Sequence, residues 1–247
     1  TRHNKITLEN HQEFIKQNKP RITLYLTEHC SHACWYCISG KPIRNPVKSI
    51  IDEIGVEEYL EKLTLLEGGC KIEYRLVGGE PTEHPSFLDI AISLLERGHE
   101  ITVMTHGNNI NVFNQLEQKI SPEMRQAIHY EASFHIGVYI REKNNIRLNN
   151  YINEVFPTLL KTCSRFTMII PLTPEVLALE NLEIILDKFV EQAIDAGVNL
   201  TFYLIELYGT ISGKSYPREY SESELNRFLA LQKKYQDPSA NLEKIKS

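Results

Sequence analysis

The chain has 247 residues, 42% hydrophobic and 24% charged, the makeup of an ordinary globular protein with room for one large α/β domain or two small ones. A net charge of −5, with no lysine- or arginine-dense block, points away from a nucleic-acid partner. No apolar run is long enough to cross a membrane, and the polar opening TRHNKITLENHQEF lacks the apolar core of a secretory signal; we expect no membrane association and a cytoplasmic location.

Six runs rich in β-branched and aromatic residues read as strands: 21–26, 71–77, 100–105, 129–138, 165–170 and 199–207. Helical patterns separate them. Residues 50–67 carry apolar positions at near-helical spacing, 86–98 is amphipathic, 150–163 is helical with Pro157 bending or splitting it, and 181–198 is the clearest helix. Residues 111–127 are weaker, with a short helix opening at Pro122. Strand and helix alternate six times, which calls for parallel strands joined by helical crossovers, as an open sheet or a curved partial barrel. A loop over 208–220 and a last helix over 221–236, capped by Ser221 or Ser223, follow. The expected division is a lead segment at 1–20, the α/β body at 21–207, and a C-terminal loop and helix at 208–247, the last read as cut short before a further extension.

In parallel α/β architectures ligands bind at the carboxyl ends of the strands. The first strand is followed by TEHCSHACWYCISGK, the second by GGEPTEHP and the third by HGNN, while the fourth carries Ser133 and His135. The unusual chemistry thus collects on one edge. Five cysteines, three of them at Cys30, Cys34 and Cys37, argue for metal ligation rather than a disulfide framework. Thiolates suit iron–sulfur clusters and zinc alike. A [4Fe–4S] cluster held by three cysteines leaves one iron open; a zinc site takes a fourth ligand, for which His29 or His32 stands ready. Cys70 and Cys163 lie away from this edge and read as inert thiols.

Cys30-x₃-Cys34-x₂-Cys37, with the aromatic Tyr36 before the last cysteine, resembles the signature of the radical S-adenosylmethionine (radical SAM) superfamily. GGEP at 78–81, directly after the second strand, is similar to that family's second motif, and the two stand in the family's order. The resemblance spans about residues 21–207 and implies a partial (β/α)₆ TIM-like barrel of parallel strands. It also implies that Cys30, Cys34 and Cys37 ligate three irons of a [4Fe–4S] cluster, with the amine and carboxylate of S-adenosylmethionine (SAM) on the fourth. One electron from the reduced cluster then cleaves SAM to methionine and a 5′-deoxyadenosyl radical, which takes hydrogen from the substrate.

Further roles follow from the same resemblance. Tyr36 is placed near the adenine, or simply packs the loop on the core. Gly78 and Gly79 let backbone approach the methionine of SAM, Glu80 holds its ammonium group, and Pro81 stiffens the turn. Thr105 and Asn108 follow the third strand, where many relatives have Thr-Asn-Gly and this chain has Thr-His-Gly-Asn. Ser133 faces the SAM ribose, and His135, two residues on along a strand, shares its face. Arg147 is a candidate for the SAM carboxylate. Trp35 is read as packing, His29, His32 and His84 as flanking rather than ligating, and Glu206, at the end of the sixth strand, as a surface carboxylate.

The expected activity is therefore reductive cleavage of SAM and hydrogen abstraction from a peptide or small metabolite of unknown identity. A reducing electron donor such as a flavodoxin or ferredoxin is the expected partner. Two alternatives stand beside it. One is a glycyl-radical enzyme activase, although the Asp-Thr-Asn-Gly typical after the third strand of such activases is absent. The other is a non-catalytic zinc- or cluster-binding module.

Overall fold

The computed structural model describes residue 13 and residues 21–32, 34–37, 48–211 and 213–236. The expected lead segment apart from residue 13, Ala33, residues 38–47, Ser212 and the tail beyond 236 lie outside the described residues.

Six strands form one sheet in sequence order, β1 (Arg21–Thr27), β2 (Glu73–Gly78), β3 (Glu100–Thr105), β4 (Ile128–Ser133), β5 (Arg165–Pro171) and β6 (Asn199–Ile205). Every neighbouring pair is parallel. Sequential order with parallel pairing demands a crossover after each strand, and the helices supply them. One face of each strand is apolar and buried beneath those helices: Leu24 and Leu26, Tyr74 and Leu76, Ile101 and Val103, Phe166 and Met168, Phe202 and Leu204. Most of the alternate residues are polar, Val77, Met104, Ile169 and Ile205 aside, and meet on the other face. Arg75 on β2 pairs with Glu131 on β4, and Arg165 on β5 reaches Glu100 on β3 at 2.8 Å. Each of these pairs spans an intervening strand, so this face is concave. Among the described residues β1 and β6 do not pair with each other, and the sheet is a partial TIM-like barrel of six parallel strands.

The helices refine the sequence reading. Residues 50–67 form two helices, α1 (Ile50–Ile54) and α2 (Val56–Glu67), because Gly55 takes φ 83°, a conformation that interrupts α-helix and that glycine adopts freely. Ser49 caps α1 in a reciprocal box with Asp52. Next come α3 (Phe87–Glu96), α4 (Ile110–Lys119) and α5 (Pro122–Gln126), the last capped by Ser121 with Pro122 in its first turn. The fourth strand is shorter than expected. Phe134 makes the last ladder bond, to Ile169 O at 2.8 Å, and Ile136–Arg141 is a helix, α6. An apolar run such as IGV fits a strand or a buried helix equally, and here tertiary packing decides: Ile136, Gly137, Val138 and Tyr139 are all buried. Ser133 and His135 therefore do not share a strand face.

The 150–163 helix is broken into α7 (Asn145–Asn150), a π-turn at Tyr151–Val155 and α8 (Phe156–Leu160), with Pro157 in the first turn of α8. After β5 come α9 (Pro174–Leu177) and α10 (Leu182–Asp195). Strand β6 ends at Ile205, one residue before Glu206. The expected loop at 208–220 contains a small hairpin, β7 (Gly209–Ile211) with β8 (Lys214–Tyr216). The last helix, α11 (Glu222–Tyr235), is capped by Ser221 through a box with Glu224. It packs on the barrel through buried Phe228, Leu231 and Tyr235.

Candidate functional site

The carboxyl ends of β1, β2, β3 and β4 deliver four loops to one rim. After β1 the chain runs through Cys30, Cys34 and Cys37, none of them in a disulfide. Cys37 N donates to Cys34 O at 3.1 Å, closing a tight turn with Trp35 and Tyr36 at its corner. Cys34 is buried; Cys30 and Cys37 are partly open. Burial first, and then the neighbouring Cys30 and Cys37, push the Cys34 thiol up to about 12. The sulfurs of Cys30 and Cys37 sit close enough to Cys34 to oppose its ionisation, an effect that a bound cationic centre reverses.

Two glycines stitch the second motif to this loop. Gly79 N donates to Thr27 O at 2.7 Å and Glu80 N to His29 O at 2.8 Å. A Cβ on Gly79 would stand 2.3 Å from His29 O, and one on Gly78 would stand 2.3 Å from Thr27 O, so no larger residue fits this seam. Pro81 opens a 3₁₀ turn, Pro81–Glu83.

Glu80 is buried and held by groups of the protein itself. Its Oε1 accepts from Thr82 N at 3.1 Å, Thr82 Oγ1 at 2.6 Å and Thr105 Oγ1 at 2.7 Å. Its Oε2 accepts from His106 N at 2.7 Å and lies 3.4 Å from His106 Nε2. Thr105 thus serves the carboxylate of the second motif. Glu83, two residues beyond Pro81, was not foreseen from the sequence as a site residue. It accepts from Ser31 N at 2.9 Å and from Ser31 Oγ, and lies 3.2 Å from His29 Nε2 and 3.4 Å from His106 Nε2. Burial opposes its ionisation, but the hydrogen bonds from His106 and Ser31 prevail and hold its carboxyl down to about 2. The signal was present in GGEPTE: a second acid three residues after the first returns to the same side of a tight turn.

Three histidines fill the space above. His32 stacks on His106, centroids 4.2 Å apart, and lies 5.4 Å from His135. Burial, then His106, His135 and Arg147, drive His32 down to about 2; burial and His106 take His135 down to about 3. Both rings are neutral in the physiological range. His106 behaves oppositely: burial lowers it, but Glu80, Cys30 and Glu83 raise it to about 10. In the neutral ring Nδ1 accepts the amide of Asn108 at 3.2 Å and the hydrogen sits on Nε2; protonation would place a hydrogen on both nitrogens. The Asn108 side chain lies 3.3 Å from His32 Nε2 and donates to Tyr139 OH at 3.4 Å. Tyr36 OH is 3.0 Å from His135 Nδ1.

The structure therefore brings Tyr36, Gly78, Gly79, Glu80, Pro81, Thr105, Asn108 and His135 around the cysteine loop. Ser133 ends β4 on the same rim. Arg147 stands farther out on α7, paired with Glu142 at 3.0 Å and 5.5 Å above the Tyr139 ring, although its charge still reaches His32. Trp35 is covered by Arg141, whose guanidinium carbon lies 3.9 Å above the ring. His84 serves the fold, bonding Ser49 Oγ at 3.1 Å and Ser86 N at 3.1 Å.

The donor set fits an iron–sulfur cluster. Three thiols are presented on one loop. Around them the buried ring nitrogens His29 Nδ1 and Trp35 Nε1 have no hydrogen bond within the protein, and N–H groups so placed are what cluster sulfurs accept from. Among the described residues no three His, Cys, Asp or Glu side chains converge on a single ion. Thiols that each bind a different iron need no such convergence.

These features define an α/β-barrel protein with a thiol-lined rim site. Residues 24–138, from β1 into α6, match the model of the Radical SAM superfamily. A curated relative, molybdenum cofactor biosynthesis protein 1 of Bos taurus, is 36% identical over 93 residues, which cover 36% of this chain and 14% of that protein. Among solved structures, Streptococcus suis SuiB bound to its precursor peptide SuiA aligns with a TM-score of 0.54 at 13% identity, over 92% of this chain and 49% of SuiB. SuiB bound to S-adenosylmethionine aligns with a TM-score of 0.53 at 14% identity, over 92% of this chain and 51% of SuiB. The chain spans about half the length of these structures and a much smaller share of the curated relative. Over residues 24–138 the chain is similar to the radical SAM superfamily of enzymes. Among the described residues no helix is long and apolar enough to cross a membrane.

Proposed function

We propose that Cys30, Cys34 and Cys37 hold three irons of a [4Fe–4S] cluster, that SAM occupies the fourth, and that the protein abstracts hydrogen from a peptide or small metabolite. When bound and reduced, that pair supplies a one-electron cleavage of the sulfonium and with it a 5′-deoxyadenosyl radical. The chain's own residues supply position and exclusion of water. The Gly78–Pro81 turn brings backbone against the methionine end of SAM. Glu80 Oε2, which has fewer donors than Oε1, faces the ammonium group. Tyr36, fixed by His135, packs near the adenine. Ser133 is assigned to the ribose and Arg147 to the carboxylate, with Thr105 and Asn108 shaping the floor between them.

The observation that carries this reading is the seam itself. Two backbone hydrogen bonds lock Gly79 and Glu80 to Thr27 and His29, so the second motif lies against the segment that enters Cys30. For the substrate, the peptide side of the proposal draws on SuiB, solved with its precursor peptide. The metabolite side draws on the cofactor-biosynthesis relative. A flavodoxin or ferredoxin is proposed as electron donor.

Anaerobic reconstitution tests the reading. Four irons and four sulfides per chain, and 5′-deoxyadenosine released from SAM with a strong reductant, are expected. About one zinc per chain, no cluster and no 5′-deoxyadenosine would overturn it. Deuterium transfer from labelled candidates into 5′-deoxyadenosine then identifies the substrate.

A further inference from the structure

We propose that Glu83 is a positioning residue that anchors the Cys30 segment to the barrel and sets the charge beside it. The inference rests on the cysteine-held cluster proposed above, and deepens it. Four contacts from three residues converge on this one carboxylate. Ser31 N and Ser31 Oγ donate to it from the residue directly after Cys30, with the amide at 2.9 Å. His29 Nε2, from the residue directly before Cys30, lies 3.2 Å away. His106 Nε2, from the loop after β3, lies 3.4 Å from its other oxygen. Glu83 thus grips both neighbours of one cysteine and ties them to a third loop.

The anchor is rigid at its own end. Glu83 closes the 3₁₀ turn that starts at Pro81, its N–H donates to Glu80 O at 3.0 Å, and its side chain is only 14% exposed. Thr82, beside it, accepts from Asn109 Nδ2 through its carbonyl at 2.7 Å, which fixes the turn against the loop after β3. The cysteine loop has little regular structure of its own. Besides this tether the segment entering its first cysteine is held by the two seam bonds at Thr27 and His29, by the bond from His29 N to Thr27 Oγ1 at 3.0 Å and by the contact of Cys30 with His106. A partly buried carboxylate that accepts a backbone amide is a directional tether. Its negative charge next to a cysteine also disfavours adding an electron to anything that cysteine holds. The Glu80 carboxylate is held differently, by Thr82, Thr105 and His106, none of them from the cysteine loop.

The wild-type chain is compared with Glu83→Leu and Glu83→Gln. In iron-free protein, Glu83→Leu should speed amide exchange at Ser31 by about tenfold or more, because the acceptor is gone. Glu83→Gln should stay near wild type there, since its amide oxygen still accepts. After reconstitution, Glu83→Leu should take up several-fold less iron when iron is limiting. Glu83→Gln should load normally and show a higher midpoint potential, because a negative charge has been removed. Unchanged exchange at Ser31 in Glu83→Leu, or an unchanged potential in Glu83→Gln, overturns the proposal. If Glu83→Leu loses protection throughout β3 and β5, its fold has failed and the potential of Glu83→Gln decides. A wild-type chain that loads no cluster would instead sink the proposed function, while the exchange comparison would still judge the anchor.

Discussion

The backbone amide of Glu80 donates to the carbonyl of His29 at 2.8 Å, joining the turn after β2 to the residue before Cys30. That bond, with its neighbour from Gly79 to Thr27, turns two sequence-separated motifs into one structural unit. It also makes the seam the most sensitive place in which to test the site.

Gly79→Ala should be damaging although it adds a single methyl. The new Cβ would stand 2.3 Å from His29 O and 2.5 Å from Glu28 O, and both are backbone atoms that cannot rotate away. We expect about 1–3 kcal/mol of lost stability, or roughly 2–10 °C in the thermal midpoint. Iron uptake should fall in parallel. Circular dichroism melting and iron analysis on the same preparation check both.

Replacing Cys30, Cys34 or Cys37 singly by alanine should cut reconstituted iron by roughly tenfold or more while leaving the fold intact. Cys163→Ala should leave iron content unchanged, since Cys163 is fully buried at the start of β5, away from the rim. Iron and sulfide content with the visible absorption of the reconstituted proteins separate the two cases.

Glu80→Gln should destabilise the iron-free protein by about 3–5 kcal/mol. A glutamine offers one acceptor oxygen where the structure has four hydrogen bonds arriving from Thr82, Thr105 and His106. Denaturant melts should show a lower midpoint with an unchanged slope, since the surface exposed on unfolding stays the same.

Tyr36→Phe should cost about 1 kcal/mol, the worth of a single hydrogen bond, here the one to His135 Nδ1 at 3.0 Å. Iron loading should be retained. SAM affinity, read by equilibrium dialysis on loaded protein, should fall less in Tyr36→Phe than in Tyr36→Ala if the ring face is what meets the adenine.

Acid should weaken the fold before its carboxylates titrate. His84, His99 and His129 are all held below the ordinary histidine value, in each case first by burial. Below about pH 6.5 the unfolded chain takes up protons at these positions and the folded chain does not. Their stabilisation is thus complete above that pH and is lost as pH falls. The slope is up to about 1.4 kcal/mol per pH unit for each histidine kept neutral. His106, raised to about 10, acts in the opposite sense: its stabilisation is complete below about pH 6.5 and weakens as pH rises above it, so it offsets part of the decline only at the upper end of the range. Denaturant midpoints between pH 7.5 and 5 should decline, and His129→Asn should flatten the decline.

Much of the rim was legible from the chain. The cysteine spacing, GGEP and the six-fold alternation are local patterns, and each is written within a few neighbouring residues. The helix break at Gly55, the end of β4 at Ser133 and the π-turn at Tyr151–Val155 were not legible. In each, apolar periodicity suits more than one local structure, and long-range packing selects among them. His135 shows the consequence: its expected strand partnership with Ser133 dissolved, and its contact is with Tyr36, 99 positions away in sequence.

Which thiols are present, and at which strand end they emerge, is written in short stretches of the chain, because thiol spacing and strand periodicity are short-range properties. How the loops are held to one another belongs to the folded barrel. Glu83 meeting Ser31 across 52 positions, and His106 standing between two carboxylates, depend on the curvature of the sheet that brings the ends of β1, β2 and β3 to one rim. Curvature is a sum over six strands and their helices, and no local stretch of residues encodes it.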